Sequence, residues 1–257
     1  MPRLMPTDDD QIFNIPTAAG TFQFSGVKLD KLGASEYTLV TLVVDESGTT
    51  YPFADRLLEM VKMVIGACQK HDRSEFLLFR LLAFSSRVTE VHGFKLLSEI
   101  DLNDYPNFNP SGTTALYNAT FDAIGAAVEY AKHLDKNDYD VNACTYILTD
   151  GLNNVSPVTP AMIKDLNEGI IKSEKGLESN ITILIGLQDP QLQGDDMFKE
   201  VIKELDRFVI EAGLTKFINA GDATEKKLAH VAEWVSQSVS STSQVIGSGG
   251  PSQVLTF

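Results

Sequence analysis

Short, β-rich apolar runs that alternate with amphipathic stretches predict an α/β protein. The predicted architecture is a doubly wound, mostly parallel six-stranded sheet of order 3-2-1-4-5-6, with one antiparallel edge strand and helices on both faces. Three observations lead there. Tyr37–Val44 and Ala143–Leu148 are apolar on both faces, as strands in the middle of a parallel sheet are. Segments between such runs carry apolar residues at helical spacing. Val88–Phe94 follows Phe76–Phe84 too closely for a crossover helix, so those two runs pair antiparallel.

Residues 1–35 read as an N-terminal extension with little pattern and an acidic cluster, Asp8-Asp9-Asp10. Within it, Thr21–Ser25 alternates apolar and polar residues and suits an added edge strand. After the first strand, Pro52 opens a helix with Phe53, Leu57, Val61, Val64, Ile65 and Cys68 on one face. Proline is tolerated there because an N–H in the first helical turn has no partner within the helix. Phe76–Phe84 is the second strand and Val88–Phe94 its return.

Leu116, Ala119, Ala123, Ile124, Ala127, Val128, Ala131 and Leu134 mark the next helix, and Ala143–Leu148 the fourth strand. Thr159-Pro160 caps a helix carrying Ile163, Leu166 and Ile170. Ile181–Leu187 is another buried strand, and a helix over Asp196–Ala212 stops at Gly213. Lys216–Asn219 is a short strand, and Asp222-Ala-Thr-Glu225 gives a capping-box-like start to the last helix. One domain thus spans 36–240. The Ser- and Gly-rich residues 241–257 are a flexible tail. Its final Val254–Phe257 is apolar, either a frayed end or a segment that docks on a partner or a neighbouring copy as an added strand.

The 257 residues suffice for a full core, and 43% of them are hydrophobic, as in an ordinary globular chain. A net charge of −14 argues against nucleic acid and against an anionic membrane surface as partners. Cys68 and Cys144, the only cysteines, fall on a helix stripe and inside a strand, with neither zinc spacing nor a disulfide framework. The acidic start lacks an apolar signal-like core, and no apolar run reaches the roughly 20 residues of a membrane span. The expectation is a cytoplasmic protein.

Three segments place side-chain oxygens just beyond apolar runs: Asp45-Glu-Ser-Gly-Thr49, Ser111-Gly-Thr-Thr114 and Thr149-Asp-Gly151. Oxygen donors of this kind suit a hard cation such as magnesium. In a doubly wound sheet the first and fourth strands are neighbours, and ligands bind in the crevice at their carboxyl ends. Asp45 and Asp150 stand at those two ends. Each residue alone has a plainer role, as a turn residue for Asp45 and Asp150 and as a helix cap for Ser47, Thr113 and Thr114. Glu46 and Asn153 read as solvated loop residues, Asp222 as an N-cap, and the four histidines as surface or structural.

The spacing D-x-S-x-T, then G-T-T-A-L-Y, then T-D-G resembles the metal-ion-dependent adhesion site (MIDAS) of von Willebrand factor A (VWA) domains, over residues 37–240. Thr49 stands where that family usually has a second Ser. Aligning A-L-Y-N-A selects Thr114 as the second-loop ligand, and counting from the glycine selects Thr113. The resemblance implies Mg²⁺ or Mn²⁺ bound by Asp45, Ser47, Thr49, Thr114 and Asp150. It implies direct ligation by Ser47 and Thr49, and mostly water-mediated contacts from the two aspartates. It implies a non-enzymatic adaptor that binds an acidic side chain of a protein partner, in a multiprotein assembly that can include an ATPase. Two other readings remain. Asp45-Glu-Ser-Gly-Thr49 also resembles the nucleophile loop of haloacid-dehalogenase-like phosphatases, although Ser47 stands where a second Asp would serve as general acid. The third is a structural scaffold whose metal site is vestigial.

Overall fold

Every side chain from Tyr37 to Asp45 is buried, which a strand achieves only when both of its faces are covered. The structure is a computed structural model that describes residues 6–18, 20–173, 177, 179–192, 196–244 and 255–257. Its strands are β1 (Asp10–Thr17), β2 (Gly20–Val27), β3 (Glu36–Asp45), β4 (Leu77–Phe84), β5 (Val88–Leu96), β6 (Asp140–Thr149), β7 (Ser179–Gln188) and β8 (Lys216–Asp222). The helices are α1 (Ala54–Gln69), α2 (Leu116–Asp135), α3 (Pro160–Ser173), α4 (Asp196–Glu211) and α5 (Glu225–Gln244). Successive side chains of β3 point to opposite layers. Val40, Leu42 and Val44 meet Leu57 and Val61 of α1 and Val231 and Val235 of α5 in one cluster. Val43 faces the other way, into a cluster with Ala123 of α2, Ile163 of α3 and Leu205 of α4.

The predicted six-stranded, mostly parallel sheet is incorrect. The sheet has eight strands in the order β1-β2-β5-β4-β3-β6-β7-β8 and is mixed, with β1–β2 and β4–β5 antiparallel. The strand predicted at an edge, β5, is interior, because the β1–β2 hairpin extends the sheet past it. Pro16 hid β1 from the sequence reading, since proline cannot donate to a ladder. It is accommodated because β1 is the outermost strand. The junction of β2 with β5 also depends on Gly93, where a Cβ would lie 2.0 Å from the Ser25 carbonyl oxygen.

Beneath the hairpin, β4 carries Arg80 with no exposure to solvent. Its Nε donates to Glu90 Oε2 at 2.9 Å, while Glu90 Oε1 accepts from Ser25 N at 2.9 Å and Ser25 Oγ at 3.0 Å. The rings of Phe22, Phe24 and Phe94 surround the guanidinium with centroids 5.4–5.5 Å away, a cation–π arrangement. Breaking a buried ion pair on one side strands the other charge. Glu90→Ala is therefore expected to destabilise the fold by about 3–5 kcal/mol in urea unfolding. The double substitution Arg80→Met with Glu90→Leu should cost markedly less, and equal losses would contradict this account.

The last helix runs further than predicted. Thr242 and Ser243 are buried in α5, the Thr242 carbonyl accepts from Asn142 Nδ2 at 3.1 Å, and Ser243 Oγ accepts from Arg73 Nε at 3.0 Å. Residues 245–254 of the predicted tail lie outside the described residues. Leu255–Phe257 sit against their own chain. Lys216 Nζ donates to the Leu255 carbonyl at 3.0 Å and Trp234 Nε1 to that of Thr256 at 3.2 Å. The Phe257 ring lies 5.7 Å from that of Trp234 and 5.1 Å from that of His230. Trp234 is the only tryptophan, so intrinsic fluorescence reports on this contact. Deleting Leu255–Phe257 should shift its emission to longer wavelength, and an unchanged spectrum would show that the segment does not shield it.

Cys68 and Cys144 are free and buried, and burial pushes the Cys68 thiol up to about 12. Among the described residues, no helix is long and apolar enough to cross a membrane.

Candidate metal centre

The parallel ladder of β3 and β6 pairs Val44 with Leu148, so the next residue on each strand, Asp45 and Thr149, emerges beside the other. Thr149 Oγ1 donates to Asp45 Oδ2 at 2.6 Å. The second carboxylate oxygen of Asp45 accepts the Ser47 N–H at 2.8 Å, a side-chain turn that swings the backbone off the strand. The chain then enters a 3-10 turn over Gly48–Phe53 ahead of α1. Thr49 Oγ1 donates to Asp150 Oδ1 at 2.9 Å, which commits its only proton. Ser47 Oγ, 3.1 Å from Thr49 Oγ1, is therefore the donor of that pair.

The second loop is held to the first by backbone hydrogen bonds. Gly48 N donates to the Gly112 carbonyl at 3.2 Å and Ser111 N to the Glu46 carbonyl at 3.0 Å. Gly112 has φ +78°, and a Cβ there would meet Ser86 Oγ at 2.5 Å, so only glycine suits the turn. The two candidate threonines part company here. Thr113 is exposed, and its hydroxyl pairs with Ser86 Oγ at 2.9 Å. Thr114 is buried and lines one cleft with Thr49 and Asp150. Asp45, Ser47, Thr49, Thr114 and Asp150 thus converge on the carboxyl ends of β3 and β6.

Both carboxyls are hard to ionise as they stand. Burial pushes Asp45 up to about 6, against the pull of hydrogen bonds from Thr149 and Ser47. Burial and then the charge of Asp45 push Asp150 up to about 7. A nearby cation would reverse both effects. Among the described residues no group of three His, Cys, Asp or Glu converges; the side chains gathered here are two carboxylates and three hydroxyls. An all-oxygen set of this kind fits a hard divalent ion and not a thiophilic one.

Several supporting residues escaped the sequence reading. Glu46, taken for a solvated loop residue, is buried, and its carboxylate accepts the Asn109 N–H. Asn153, read in the same way, accepts the Tyr117 N–H at 3.1 Å, and Asn154 Oδ1 accepts that of Thr114 at 2.8 Å. From the third loop Asn153 thus caps the first turn of α2 and Asn154 holds the second loop just ahead of it, across a sequence separation that no local pattern reveals. Thr149 offered one signal, its place directly before Asp150 at the end of an apolar run. His92, by contrast, is the structural residue that one of its two readings made it, and it is buried. Its Nδ1–H donates to the Gly93 carbonyl at 2.8 Å, which leaves Nε2 to accept from the Tyr105 hydroxyl at 2.7 Å. Tyr105 begins the segment that leads to Ser111.

The cleft beside the site has a volume of about 750 Å³ and is also lined by Tyr51, Pro52, Leu152, Phe198 and Val201.

No family model and no curated sequence matches the chain. Solved structures do. A point mutant of the PilB minor pilin from Streptococcus sanguinis aligns with a TM-score of 0.56 and 13% identity, over 85% of this chain and 64% of its own. The PilB minor pilin itself gives 0.55 and 11%, over 90% and 77%. The pilus adhesin SpaC from Lactobacillus rhamnosus GG, in its open conformation, gives 0.52 and 13%, over 90% and 34%. The likeness is one of fold. This chain spans less than two thirds of the first pilin structure and about a third of the adhesin.

Burial lowers the His92 pKa from 6.5 to about 4. A group depressed in the folded state contributes stability above its unfolded value that is lost as pH falls through its folded value. The wild type should therefore lose stability between pH 6.5 and about 4. His92→Gln, which cannot titrate, should show a flatter slope across that window in urea unfolding. Parallel slopes would show that His92 does not carry this dependence.

Proposed function

We propose that the chain is a VWA-like binding module whose MIDAS-type centre uses Mg²⁺ or Mn²⁺ to recognise an acidic side chain of a protein partner. One observation carries this reading. One buried carboxylate, one half-buried carboxylate and three hydroxyls from three loops converge at the ends of adjacent parallel strands and open onto a cleft. Ser47, Thr49 and Thr114 supply hydroxyl oxygens, and Asp45 and Asp150 the negative charge. When bound, a small divalent ion keeps exchangeable positions that a carboxylate from a partner can fill. The buried Glu46 and the Asn153–Asn154 pair hold the second and third loops in place for this set.

The role is that of an adaptor in a multiprotein assembly, not of an enzyme. The phosphatase alternative asks Asp45 to act as a nucleophile, yet Thr149 and the Ser47 N–H hold its two oxygens, and Ser47 stands where a general acid is needed. The scaffold alternative is separated by asking whether metal governs binding as well as stability. Free, buried cysteines suit a reducing cytoplasmic setting.

A ligand that binds only the folded state stabilises it by about 2.7 kcal/mol at a hundred times its Kd. Titration with Mg²⁺ or Mn²⁺ is therefore expected to raise the melting temperature by several degrees in the wild type and not in Asp150→Ala. An identical response in both proteins would remove the basis of the reading.

A further inference from the structure

The cleft beside the site is lined in part by side chains outside the set of five oxygen donors. Tyr51, Pro52, Leu152, Phe198 and Val201 line it together with Thr49, Thr114 and Asp150, around a volume of about 750 Å³. That volume lies within the roughly 300–1,000 Å³ of clefts that enclose small ligands, and it exceeds one side chain. The surface around it is unusually apolar for this acidic chain. Among the described residues seven large hydrophobic side chains are exposed, and three of them belong to the loops that carry the site. These are Tyr51 at 75%, Leu152 at 37% and Val155 at 43%. The other four are spread over β1, α1, α4 and the final segment. Of the three, Tyr51 and Leu152 line the cleft; exposed apolar side chains gathered at one cleft mark a contact surface, whereas scattered exposure is ordinary.

We infer that this cleft takes a large apolar side chain adjacent to the acidic residue the centre recognises. The occupant is an extended peptide segment of a partner protein carrying one Asp or Glu next to a Phe, Leu or similar residue. The inference rests on the metal-dependent reading above and adds to it the choice of partner. Charge narrows that choice. Asp189 stands on the rim beside Asp150, and the chain carries a net charge of −14. A second acid in the segment would therefore be repelled, while an uncharged apolar neighbour is drawn out of water. Specificity then arises from both an attractive wall and a repulsive rim.

The test uses two fluorescently labelled peptides, Gly-Ser-Asp-Phe-Ser-Gly and Gly-Ser-Asp-Gly-Ser-Gly, with Mg²⁺ and with chelator. Burying one large apolar side chain corresponds to a gain in affinity of roughly tenfold or more. The Phe peptide should bind at least that much tighter than the Gly peptide, and only with Mg²⁺. The double variant Tyr51→Ser with Leu152→Ser alters two exposed side chains that hold no ion. It should lose the preference while keeping the Mg²⁺-induced rise in melting temperature, which also reports that it is folded. Equal affinities for both peptides, or no binding of either up to about 1 mM, overturn the inference when Mg²⁺ still raises the melting temperature, and leave the metal reading standing. Binding of the Phe peptide that ignores chelator overturns the coupling of cleft and ion. Absence of any Mg²⁺ effect on stability removes the metal reading, and this inference with it.

Discussion

Val44 lies opposite Leu148 in the β3–β6 ladder, and a slip of one residue would turn every side chain of β3 to the other layer. Val40, Leu42 and Val44 would leave the α1–α5 side, and Val43 would leave the cluster with α2, α3 and α4. The same slip would part Asp45 from Thr149 and leave a buried carboxylate without its 2.6 Å donor. Packing of the two layers and pairing of polar groups at the strand ends thus favour one register. The second and third loops depend on it in turn, because Glu46 and Asn154 can reach their backbone partners only from this position.

A second theme is how much polarity the fold keeps indoors. Arg80, Glu90, Asp122 and His92 are all buried near β4, β5 and the facing helix α2. Glu90 meets one nitrogen of Arg80, whereas Nη1 and Nη2 of Arg80 and Oδ1 of Asp122 find no hydrogen-bond partner among the described residues. Desolvation pushes Asp122 up to about 7, with Arg80 pulling the other way. Its stabilising effect is present below the unfolded value of 3.8 and fades as pH rises through about 7, opposite in sense to that of His92. The two groups give the interior of this region contrary dependences on pH.

Much of the centre of the sheet was legible because its code is local. The both-faced apolar runs at Tyr37–Val44 and Ala143–Leu148 mark β3 and β6 without reference to anything else. Strand-end aspartates following such runs are visible in the sequence alone. Half of the hairpin was legible. Thr21–Ser25 reads as a strand and lies in β2, whereas β1 was not legible, because Pro16 reads as a breaker until its outermost place is known. The close approach at Gly93 is likewise a fact about Ser25, 68 residues earlier in the chain. The end of α5 was misread for a related reason: Thr242 and Ser243 resemble linker residues until Asn142 and Arg73 are seen to bind them. In the site itself, the partner of Thr113 is Ser86, which no motif contains. Local pattern reached the elements, and long-range hydrogen bonds decided the details.

The β1–β2 hairpin also changes what the sheet presents to other molecules. Without it, β5 would be outermost, with Val91 and Phe94, now fully buried, beside a row of unpaired backbone groups. An exposed apolar strand of that kind templates chain-to-chain assembly. With the hairpin in place the outermost strand is β1, which carries Pro16 and begins at the acidic Asp10. Both features blunt edge-to-edge growth. The hairpin thus acts as a guard for colloidal stability, and the Arg80–Glu90–Ser25 linkage beneath it keeps that guard in position.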